Sequence, residues 1–408
     1  MVENIPLGMD HRLRKQVPTL LDAGYRVTVV TRSAPENAPF RAMSGLTLLE
    51  HPPFKEPRHA AGYLREYTLA FGWAALLCVR VRLRHPVHVV QFCQPPDIYF
   101  PLAWLLRLTG ATVVVDQRDL MPELFAARYT LRPAPVLKAL RWLERRTQCV
   151  ADRSIVVNDH LRDRLIGAGA NPRCVAVVRN GPLMANIAAA CRAVENRDEP
   201  GHLLCWAGKM GRQDRLDLLL EVCAELVHRR RRTDCRFLLL GDGECLEDLR
   251  RQARSMALEP WVSLPGWLSE RELYLRLAEA RIGLDTSLQP EVSPVKAMEY
   301  MAFGLPVVAF DLPETAATVR DGGVFVPPGD VDAFADAVEA LLGHPARRAE
   351  LGLLGRRRVA EELSWERQAA TYLSVMPPPP SGSVIADRQR PHGGVHTSLR
   401  EWSESDQL

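Results

Sequence analysis

The chain has 408 residues, which is too long for one ordinary hydrophobic core and suits two domains of roughly 150–200 residues. Hydrophobic residues make up 47% and charged residues 25%, as in ordinary globular proteins. The nine cysteines show no CxxC or CxxxC spacing, which argues against a zinc site and a disulfide framework. Because we recognise neither a secretory leader nor an apolar run of the about 20 residues that a bilayer-spanning helix needs, we expect a cytoplasmic protein.

The net charge of +3 is unevenly distributed along the chain. Residues 1–190 contain 25 Lys and Arg against 15 Asp and Glu, whereas the remainder contains 27 against 34. The longest apolar run, LAFGWAALLCV (69–79), is followed directly by RVRLRHP (80–86). Two interpretations stay open: a solvated arginine-rich surface, or attraction to an anionic inner-membrane face or a phosphorylated acceptor. No nucleic-acid partner is expected.

Short apolar runs alternate with helical patterns along most of the chain. In the first half these runs are YRVTVVT, LTLLE, VHVVQF, ATVVVD, RSIVVN and VAVVRN. In the second half they are LLCWAG, RFLLLG, VSLPG, RIGLDT, PVVAF and VFVPPG. Helical patterns fall at 11–23, 133–149, 215–230, 244–256 and 330–343. Continuous Val, Ile and Leu runs are typical of parallel strands buried on both faces, so the sequence predicts two doubly wound, Rossmann-like α/β domains.

The domain boundaries follow from composition. We expect an N-terminal domain over 1–190 and a C-terminal domain over 200–363, facing each other across a ligand-binding cleft. A helix at about 364–376 is expected to pack back on the N-terminal domain. The Pro- and Ser-rich segment 377–408 is predicted to be a disordered tail. Only Val2 and Glu3 occupy the place of a first strand, so the sequence predicts that this strand is truncated.

Loops that follow predicted strands in the second half carry the first candidate site. In AGKMGRQDRLD (207–217), Gly208 and Gly211 would let backbone amides approach a phosphate, and Lys209 and Arg215 would bind phosphate oxygens. A second turn of this kind, LLLGDGE (238–244), contains Gly241. The pattern is not the GxGxxG of nicotinamide dinucleotide sites. The loops therefore suggest a phosphate site, with ordinary structural turns as the alternative.

The segment EVSPVKAMEYMAFGLPVVAFD (291–311) places two carboxylates around a short helix. Glu291 precedes a helix predicted over 294–303, Glu299 lies inside it, and Ser293 is predicted to cap it. Because carboxylates accept hydrogen bonds from pairs of sugar hydroxyls, each glutamate suits a sugar or ribose. A first-turn acid favoured by the helix dipole and a solvated helix face remain the alternatives.

Backbone amides from Val292 to Val295 offer a second candidate anion nest beside these glutamates. Phosphates on the amides, with one sugar at Glu291 and another at Glu299, outline a nucleotide-sugar.

The E-x7-E pair followed by YMAFGLPVVAFD resembles the donor-site signature of the retaining GT-B glycosyltransferases of family GT4, over roughly residues 1–375. In that family, two basic residues six positions apart hold the donor diphosphate. Here they are Lys209 and Arg215, where Arg then Lys is usual. The resemblance implies that Glu291 contacts the donor sugar, Glu299 the ribose, and that Gly266 lies near the base.

Two further segments, CQPPD (93–97) and VDQRDLMPELF (115–125), resemble a bacterial cell-surface polysaccharide branch of the family. That branch often has histidine where this chain has Arg118. The acceptor is expected to be a glycan or a lipid-linked glycan. The acceptor-site candidates are Asn4, Gly8, Arg118 and Asp119.

These observations predict a retaining glycosyltransferase in which cations of the protein and backbone amides stabilise the departing nucleoside diphosphate. No cofactor and no metal ion are expected. The catalytic candidates are Glu291, Asp119, Lys209 and Arg215. The donor-binding candidates are Gly208, Lys209, Gly211, Arg215, Gly241, Gly266, Glu291, Val292, Ser293, Val295 and Glu299. A GT-B-shaped nucleotide-sugar epimerase or phosphorylase, and a non-catalytic partner of another transferase, remain open as alternatives.

Overall fold

The computed structural model describes residues 1–54, 60–128, 133–194, 201–289 and 293–379. The chain divides into two compact units, one formed by Met1–Val178 with the segment from Ala369 onward, the other by Arg179–Gln368. Residues 380–408, most of the predicted tail, lie outside the described residues.

Helices and strands alternate through the first unit. In chain order they are α1 (Leu13–Asp22), β1 (Val27–Arg32), α2 (Ala38–Arg41), β2 (Leu46–His51), α3 (Ala60–Arg84), β3 (Val89–Gln94), α4 (Phe100–Leu108), β4 (Thr112–Gln117), α5 (Met121–Arg128), α6 (Ala134–Val150), β5 (Arg153–Val156), α7 (Asp159–Gly167) and β6 (Val175–Val177).

The first three residues lie at the centre of the first unit's strands. Strands β1 and β2 pair in parallel, and β3, β4, β5 and β6 form a second parallel sheet in that order. Val2 bridges both, pairing with Val30 of β1 and Phe92 of β3. The chain therefore winds outward from residues 1–3 in both directions, which creates a topological switch point between them and β3.

The second unit and the helix that follows it continue the alternation. Their elements are α8 (Met184–Val194), β7 (His202–Ala207), α9 (Leu216–Ala224), β8 (Cys235–Leu240), α10 (Leu246–Ser255), β9 (Val262–Gly266), α11 (Glu270–Glu279), β10 (Ile282–Asp285), α12 (Val295–Ala302), β11 (Val307–Phe310), α13 (Pro313–Val319), β12 (Gly323–Val326), α14 (Val331–Gly343), α15 (Pro345–Arg358) and α16 (Trp365–Val375).

All pairings in the second unit's sheet are parallel, and its order is β12-β11-β10-β7-β8-β9. Along β7, Leu204 and Trp206 join the apolar core on one face, whereas Cys205 and Ala207 join the core on the other. Burial on both faces explains why the sequence shows unbroken apolar runs instead of alternation. The twelve predicted runs all lie on strands, and the doubly wound α/β prediction is confirmed.

Helix α16 is divided between the units. Its N-terminal part lies in the second unit, where the Trp365 amide donates to the Pro182 carbonyl at 2.9 Å. Its C-terminal part lies in the first unit, where the Tyr372 hydroxyl donates to Gln91 Oε1 at 2.7 Å. Arg153 also donates to the carbonyls of Ser374 and Val375.

Candidate functional site

The second unit has its own switch point between β7 and β10, because the strand order runs one way from β7 to β9 and the other way from β10 to β12. In open α/β sheets, ligands bind beyond the carboxyl ends of the strands at this position. The loop 208–215 follows β7, and the connection from β10 leads into α12. Most of the predicted donor residues belong to these two segments. Glu291 and Val292 lie outside the described residues.

Close packing against β10 holds α12 at the switch point. The Tyr300 ring lies so near Gly283 that a Cβ added there would fall 2.3 Å from ring carbons. The Tyr300 hydroxyl in turn accepts a hydrogen bond from the Ala207 amide at 2.7 Å, at the last residue of β7. One aromatic residue in the second half of α12 therefore packs this helix against both strands of the switch point.

The loops after β7, β8 and β9 are in backbone contact. Gly241 has φ +128°, and a Cβ there would lie 1.9 Å from the Gly208 carbonyl oxygen. The Gly241 amide donates to the Gly266 carbonyl at 3.2 Å. Glycine at 241 is therefore required by both the backbone conformation and the close approach of the loops.

The amides that the sequence suggested for phosphate binding donate to chain carbonyls. The Gly208 amide donates to Leu240, Gly211 to Lys209, Gly241 to Gly266, and Val295 to Ser293. An N–H satisfied in this way leaves less for an anion. These four amides therefore have less capacity to bind an anion than the sequence suggested.

The prediction that Ser293 caps the helix is wrong. The helix begins at Val295, and its N-cap position is Pro294, with no side-chain cap. Ser293 lies one position too early to cap, and its hydroxyl is buried without a hydrogen-bond partner among the described residues.

The two predicted basic residues, Lys209 and Arg215, lie in different environments. The Lys209 side chain is exposed. Arg215 has φ +49° at the start of α9, and its Nη2 lies 2.8 Å from Asp217 Oδ2. This ion pair raises the pKa of Arg215 and lowers that of Asp217, chiefly through their hydrogen bonds. Glu299 is half-buried, and its Oε1 accepts a hydrogen bond from the Tyr274 hydroxyl at 3.3 Å.

A buried cation that the sequence analysis missed lies beside this loop. Lys296 Nζ is 2.5 Å from Asp214 Oδ1 and 3.6 Å from Asp285 Oδ1. It also lies 4.9 Å from the Trp206 ring centroid. Burial disfavours the charged amine, but Asp285 and Asp214 outweigh burial and raise the pKa of Lys296. A lone lysine in the otherwise apolar first turn after EVSP was the signal available.

In the first unit, the acceptor candidate Arg118 is the centre of a cluster of buried carboxyl groups. Its Nη1 lies 2.6 Å from Asp10 Oδ2 and 3.1 Å from Glu3 Oε2. Asp116, 3.5 Å from Arg118, also pairs with Arg12 at 2.9 Å. Sequence reasoning missed this cluster because Glu3 and Asp10 lie more than 100 positions from Arg118 in the chain.

Burial shifts the proton equilibria of this cluster. It raises the pKa of Glu3 to about 8, against the attraction of Arg118 and with a further increase from Asp10. The pKa of Asp10 is lowered because Arg118 and the hydrogen bond from Glu3 outweigh burial. Glu3 therefore keeps its proton at neutral pH, while Asp10 is ionised.

The other acceptor candidates lie near the first unit's switch point. Asn4 is buried, and its Oδ1 has no hydrogen-bond partner among the described residues. Gly8 packs against Glu36, where a Cβ would lie 1.9 Å from the carbonyl oxygen. Asp119 is exposed, and desolvation nevertheless raises its pKa against the effect of Arg118. Gln94, at the end of β3, is buried with both amide atoms unpartnered within the described part of the chain.

The described residues contain neither a metal-binding cluster nor a membrane-spanning helix. No group of three His, Cys, Asp or Glu side chains in that part of the chain could hold a metal ion. Within the same ranges, no helix has the length and apolarity needed to cross a membrane.

Comparison with known proteins identifies the family. Residues 8–181 match the model described as "Glycosyl transferase 4-like domain", and residues 201–344 match "Glycosyl transferases group 1". The alpha-D-kanosaminyltransferase of Streptomyces kanamyceticus is 26% identical over 367 residues, 83% of this chain and 91% of that enzyme. A GDP-mannose-dependent phosphatidylinositol monomannoside mannosyltransferase of Mycolicibacterium smegmatis is 32% identical over 172 residues, 39% of this chain and 44% of that enzyme.

The fold has solved counterparts. The sucrose-phosphate synthase of Thermosynechococcus elongatus superposes with a TM-score of 0.75 at 19% identity, covering 92% of this chain and 97% of that one. The two family matches together take in well over half of the sequence. The chain therefore belongs to the group 1 glycosyltransferases, enzymes with the GT-B fold that transfer a sugar from a nucleotide-sugar.

Proposed function

We propose that this glycosyltransferase is a retaining enzyme that transfers a sugar from a nucleoside-diphosphate sugar to a glycan or lipid-linked acceptor in cell-surface polysaccharide synthesis. The supporting observation is the switch point between β7 and β10: the loop with Lys209 and Arg215 follows β7, and α12 is the next helix after β10. The retaining outcome and the polysaccharide role rest on the sequence resemblances of the E-x7-E, CQPPD and VDQRDLMPELF segments.

In this proposal the donor lies across the carboxyl ends of β7 and β10. Lys209 and Arg215 bind the diphosphate, Glu299 accepts hydrogen bonds from the ribose, and Glu291 contacts the transferred sugar. Gly266 lies near the base. The exposed ammonium of Lys209 suits an anion arriving from solvent.

The proposed reaction breaks the bond between the anomeric carbon and the diphosphate oxygen and forms one to an acceptor hydroxyl on the same face. The transition state resembles an oxocarbenium ion, with negative charge growing on the leaving phosphate. Fixed cations at that position lower the barrier by stabilising the charge as it develops. The acceptor's proton passes to a departing phosphate oxygen, so the proposal uses neither an enzyme nucleophile nor a metal ion.

We assign the acceptor to the first unit's switch point, with Asn4, Arg118 and Asp119 as the polar groups proposed to contact it. Arg118 is held by three carboxyl groups, which makes it better suited to fixing the local structure than to binding an acceptor alone. Asp119 is the exposed ionisable side chain of this set.

We further propose that the enzyme is cytoplasmic and docks on the inner face of the membrane. Large apolar side chains are exposed on three helices that are in contact: α3 meets α4 through Arg82 and Thr109, and α4 meets α6 through Phe100 and Trp142. We call this set the apolar surface; its members are Leu69, Leu76, Val79, Leu83, Trp104, Leu105, Leu108, Val136 and Trp142. Exposed arginines on the same helices, among them Arg80 and Arg84, complement anionic headgroups.

Calorimetry with UDP, GDP and their sugars tests the donor assignment. The proposal expects the wild-type protein to bind at least one nucleoside diphosphate and to turn over its sugar conjugate. Glu299→Gln and Lys209→Ala should each lower kcat/KM roughly tenfold to a hundredfold, as expected for losing a hydrogen bond to a charged group.

Lys138→Ala, on the exposed face of α6, is the matched control and should leave turnover unchanged. Full activity in both donor-site variants would refute the residue map. Absence of any nucleotide binding by the wild type would favour the non-catalytic partner, and an epimerised free sugar nucleotide would favour the epimerase. Proton NMR of the product reports retention or inversion at the anomeric carbon.

A further inference from the structure

Lys296 makes contacts that the donor assignment above does not use. Its ammonium lies within 4 Å of carboxyl oxygens from two loops, Asp214 after β7 and Asp285 at the end of β10. Its stem covers Gly208, where a Cβ would lie 3.0 Å from Lys296 Cδ. Only 18% of the side chain is exposed. Lys296 therefore links α12 to the loop 208–215 and to the end of β10.

Asp214 carries the effect of Lys296 into the loop 208–215. One carboxylate oxygen of Asp214 accepts from Lys296, and the other accepts from the Gly211 amide at 3.3 Å. The Asp214 carbonyl accepts from the Thr286 hydroxyl at 3.0 Å. The next residue is Arg215, whose φ of +49° is uncommon for a residue with a side chain. The backbone that aims Arg215 is thus set by the partners of Asp214.

The charge balance of the buried carboxylates Asp214 and Asp285 also depends on Lys296. Two nearly buried carboxylates stand beside a loop that must receive a diphosphate, and Lys296 is the cation that pairs with both. A buried carboxylate left without its partner is strongly unfavourable. The Trp206 ring on the other side of the ammonium adds a cation–π contact.

We propose that Lys296 is a positioning residue of the donor site, which acts through Asp214 to hold the loop 208–215 in the conformation that binds the diphosphate. This inference rests on the proposed function for its ligand. The substitutions that test it are Lys296→Met, Lys296→Arg and Asp214→Asn, with the exposed Lys138→Met as the matched control.

Titration with the nucleoside diphosphate that binds the wild type is the first measurement. Lys296→Met and Asp214→Asn should each weaken its binding roughly tenfold to a hundredfold, and the double variant should be no weaker than the worse single variant. Binding of the matching nucleoside, which lacks phosphates, should be unchanged. Lys296→Arg, which keeps the charge, should fall in between. In turnover assays the loss should appear mainly in the donor KM.

Asp214→Asn separates positioning from simple charge balance, because it removes a negative charge near an anion site. Positioning predicts weaker diphosphate binding by this variant, whereas charge balance alone predicts tighter binding. Tighter binding by Asp214→Asn, or wild-type affinity of Lys296→Met, would overturn the proposal. Equal losses of nucleoside and diphosphate would also overturn it, since they indicate general disruption of the unit.

Hydrogen exchange of the ligand-free protein tests, independently of donor binding, whether Lys296 and Asp214 hold the loop 208–215 in place. Peptides that cover 208–215 should exchange faster in Lys296→Met and Asp214→Asn than in the wild type and in Lys138→Met. If the peptides covering 208–215 exchanged at the wild-type rate in both Lys296→Met and Asp214→Asn, the proposal would be overturned. If the wild-type protein bound no nucleotide, the proposed function would fail while this measurement still decided the role of Lys296.

Discussion

At the scale of single residues, the carboxyl groups of Glu3 and Asp10 lie buried around one guanidinium, that of Arg118. Burial keeps Glu3 protonated, with a pKa of about 8. In the unfolded chain Glu3 titrates near its ordinary value of 4.5. Between these two values the folded state holds a proton that the unfolded state has released. The free energy of unfolding therefore falls as the pH rises from about 4.5 to about 8.

We predict that Glu3→Gln makes this dependence shallower, by up to about 1.4 kcal/mol per pH unit, the limit for one proton. Asp10, whose pKa is lowered, loses its contribution only as the pH falls below the window of Glu3. Denaturant unfolding at several pH values between 5 and 8 measures the slope. The exposed Glu36→Gln serves as control and should retain the wild-type slope. An equal slope in Glu3→Gln would show that Glu3 is ionised in the folded protein.

The sequence was informative about residues whose role follows from local context. Gly208, Lys209 and Arg215 follow a recognisable strand, as predicted, and the strand order then puts that strand at the switch point. Lys296 and Arg118 show the limit, because their settings depend on partners far away in sequence: Asp214 lies 82 positions from Lys296, and Asp10 lies 108 positions from Arg118. No local pattern specifies such pairs.

At the scale of elements, an apolar run predicted each strand of the described residues, and the signal is strongest where both faces are buried, as in β10 and β11. Helix ends were predicted less accurately than strands. The pattern at 215–230 is α-helical only over Leu216–Ala224 and continues as a π-helical turn over Glu225–Arg229. Helix α12 begins at Val295, one residue later than predicted, so Ser293 is not its N-cap residue. A shift of one residue at the start of a helix changes which residue is the cap, and sequence patterns do not locate helix ends that closely.

Helix α16 gives a prediction at this scale. Tyr372→Phe removes the donor to Gln91 Oε1, a buried contact, and should destabilise the first unit by about 1–3 kcal/mol. Tyr25→Phe is the matched control: its hydroxyl donates to the Pro377 carbonyl from a half-buried position, where water can replace it. Calorimetric unfolding of both variants measures the difference. Equal unfolding midpoints for Tyr372→Phe and Tyr25→Phe would mean that the buried Tyr372 hydrogen bond contributes no more to stability than the half-buried Tyr25 hydrogen bond.

At the scale of the whole molecule, basic charge and the apolar surface coincide in the first half of the chain. Leu83 is 82% exposed and Leu108 65% exposed, on helices that also carry arginines. A basic surface with apolar side chains binds anionic lipid through both electrostatic attraction and insertion.

We predict that the protein co-sediments with phosphatidylglycerol vesicles more than with phosphatidylcholine vesicles, and that added salt weakens the binding. Leu83→Glu and Trp104→Glu should reduce binding to the anionic vesicles severalfold. Leu353→Glu, at a side chain that is 69% exposed on α15 of the second unit, should not. Wild-type binding by the two apolar-surface variants, or no binding by the wild type at low salt, would contradict the docking proposal.

The division of α16 between the units has a consequence for synthesis on the ribosome. The second unit is one continuous stretch, Arg179–Gln368, so a nascent chain can complete it as soon as that stretch has emerged. The first unit begins earlier in the sequence but is completed later, because Gln91 is hydrogen-bonded to Tyr372, which lies 281 positions downstream. The half of the protein that is translated first is therefore the last to close.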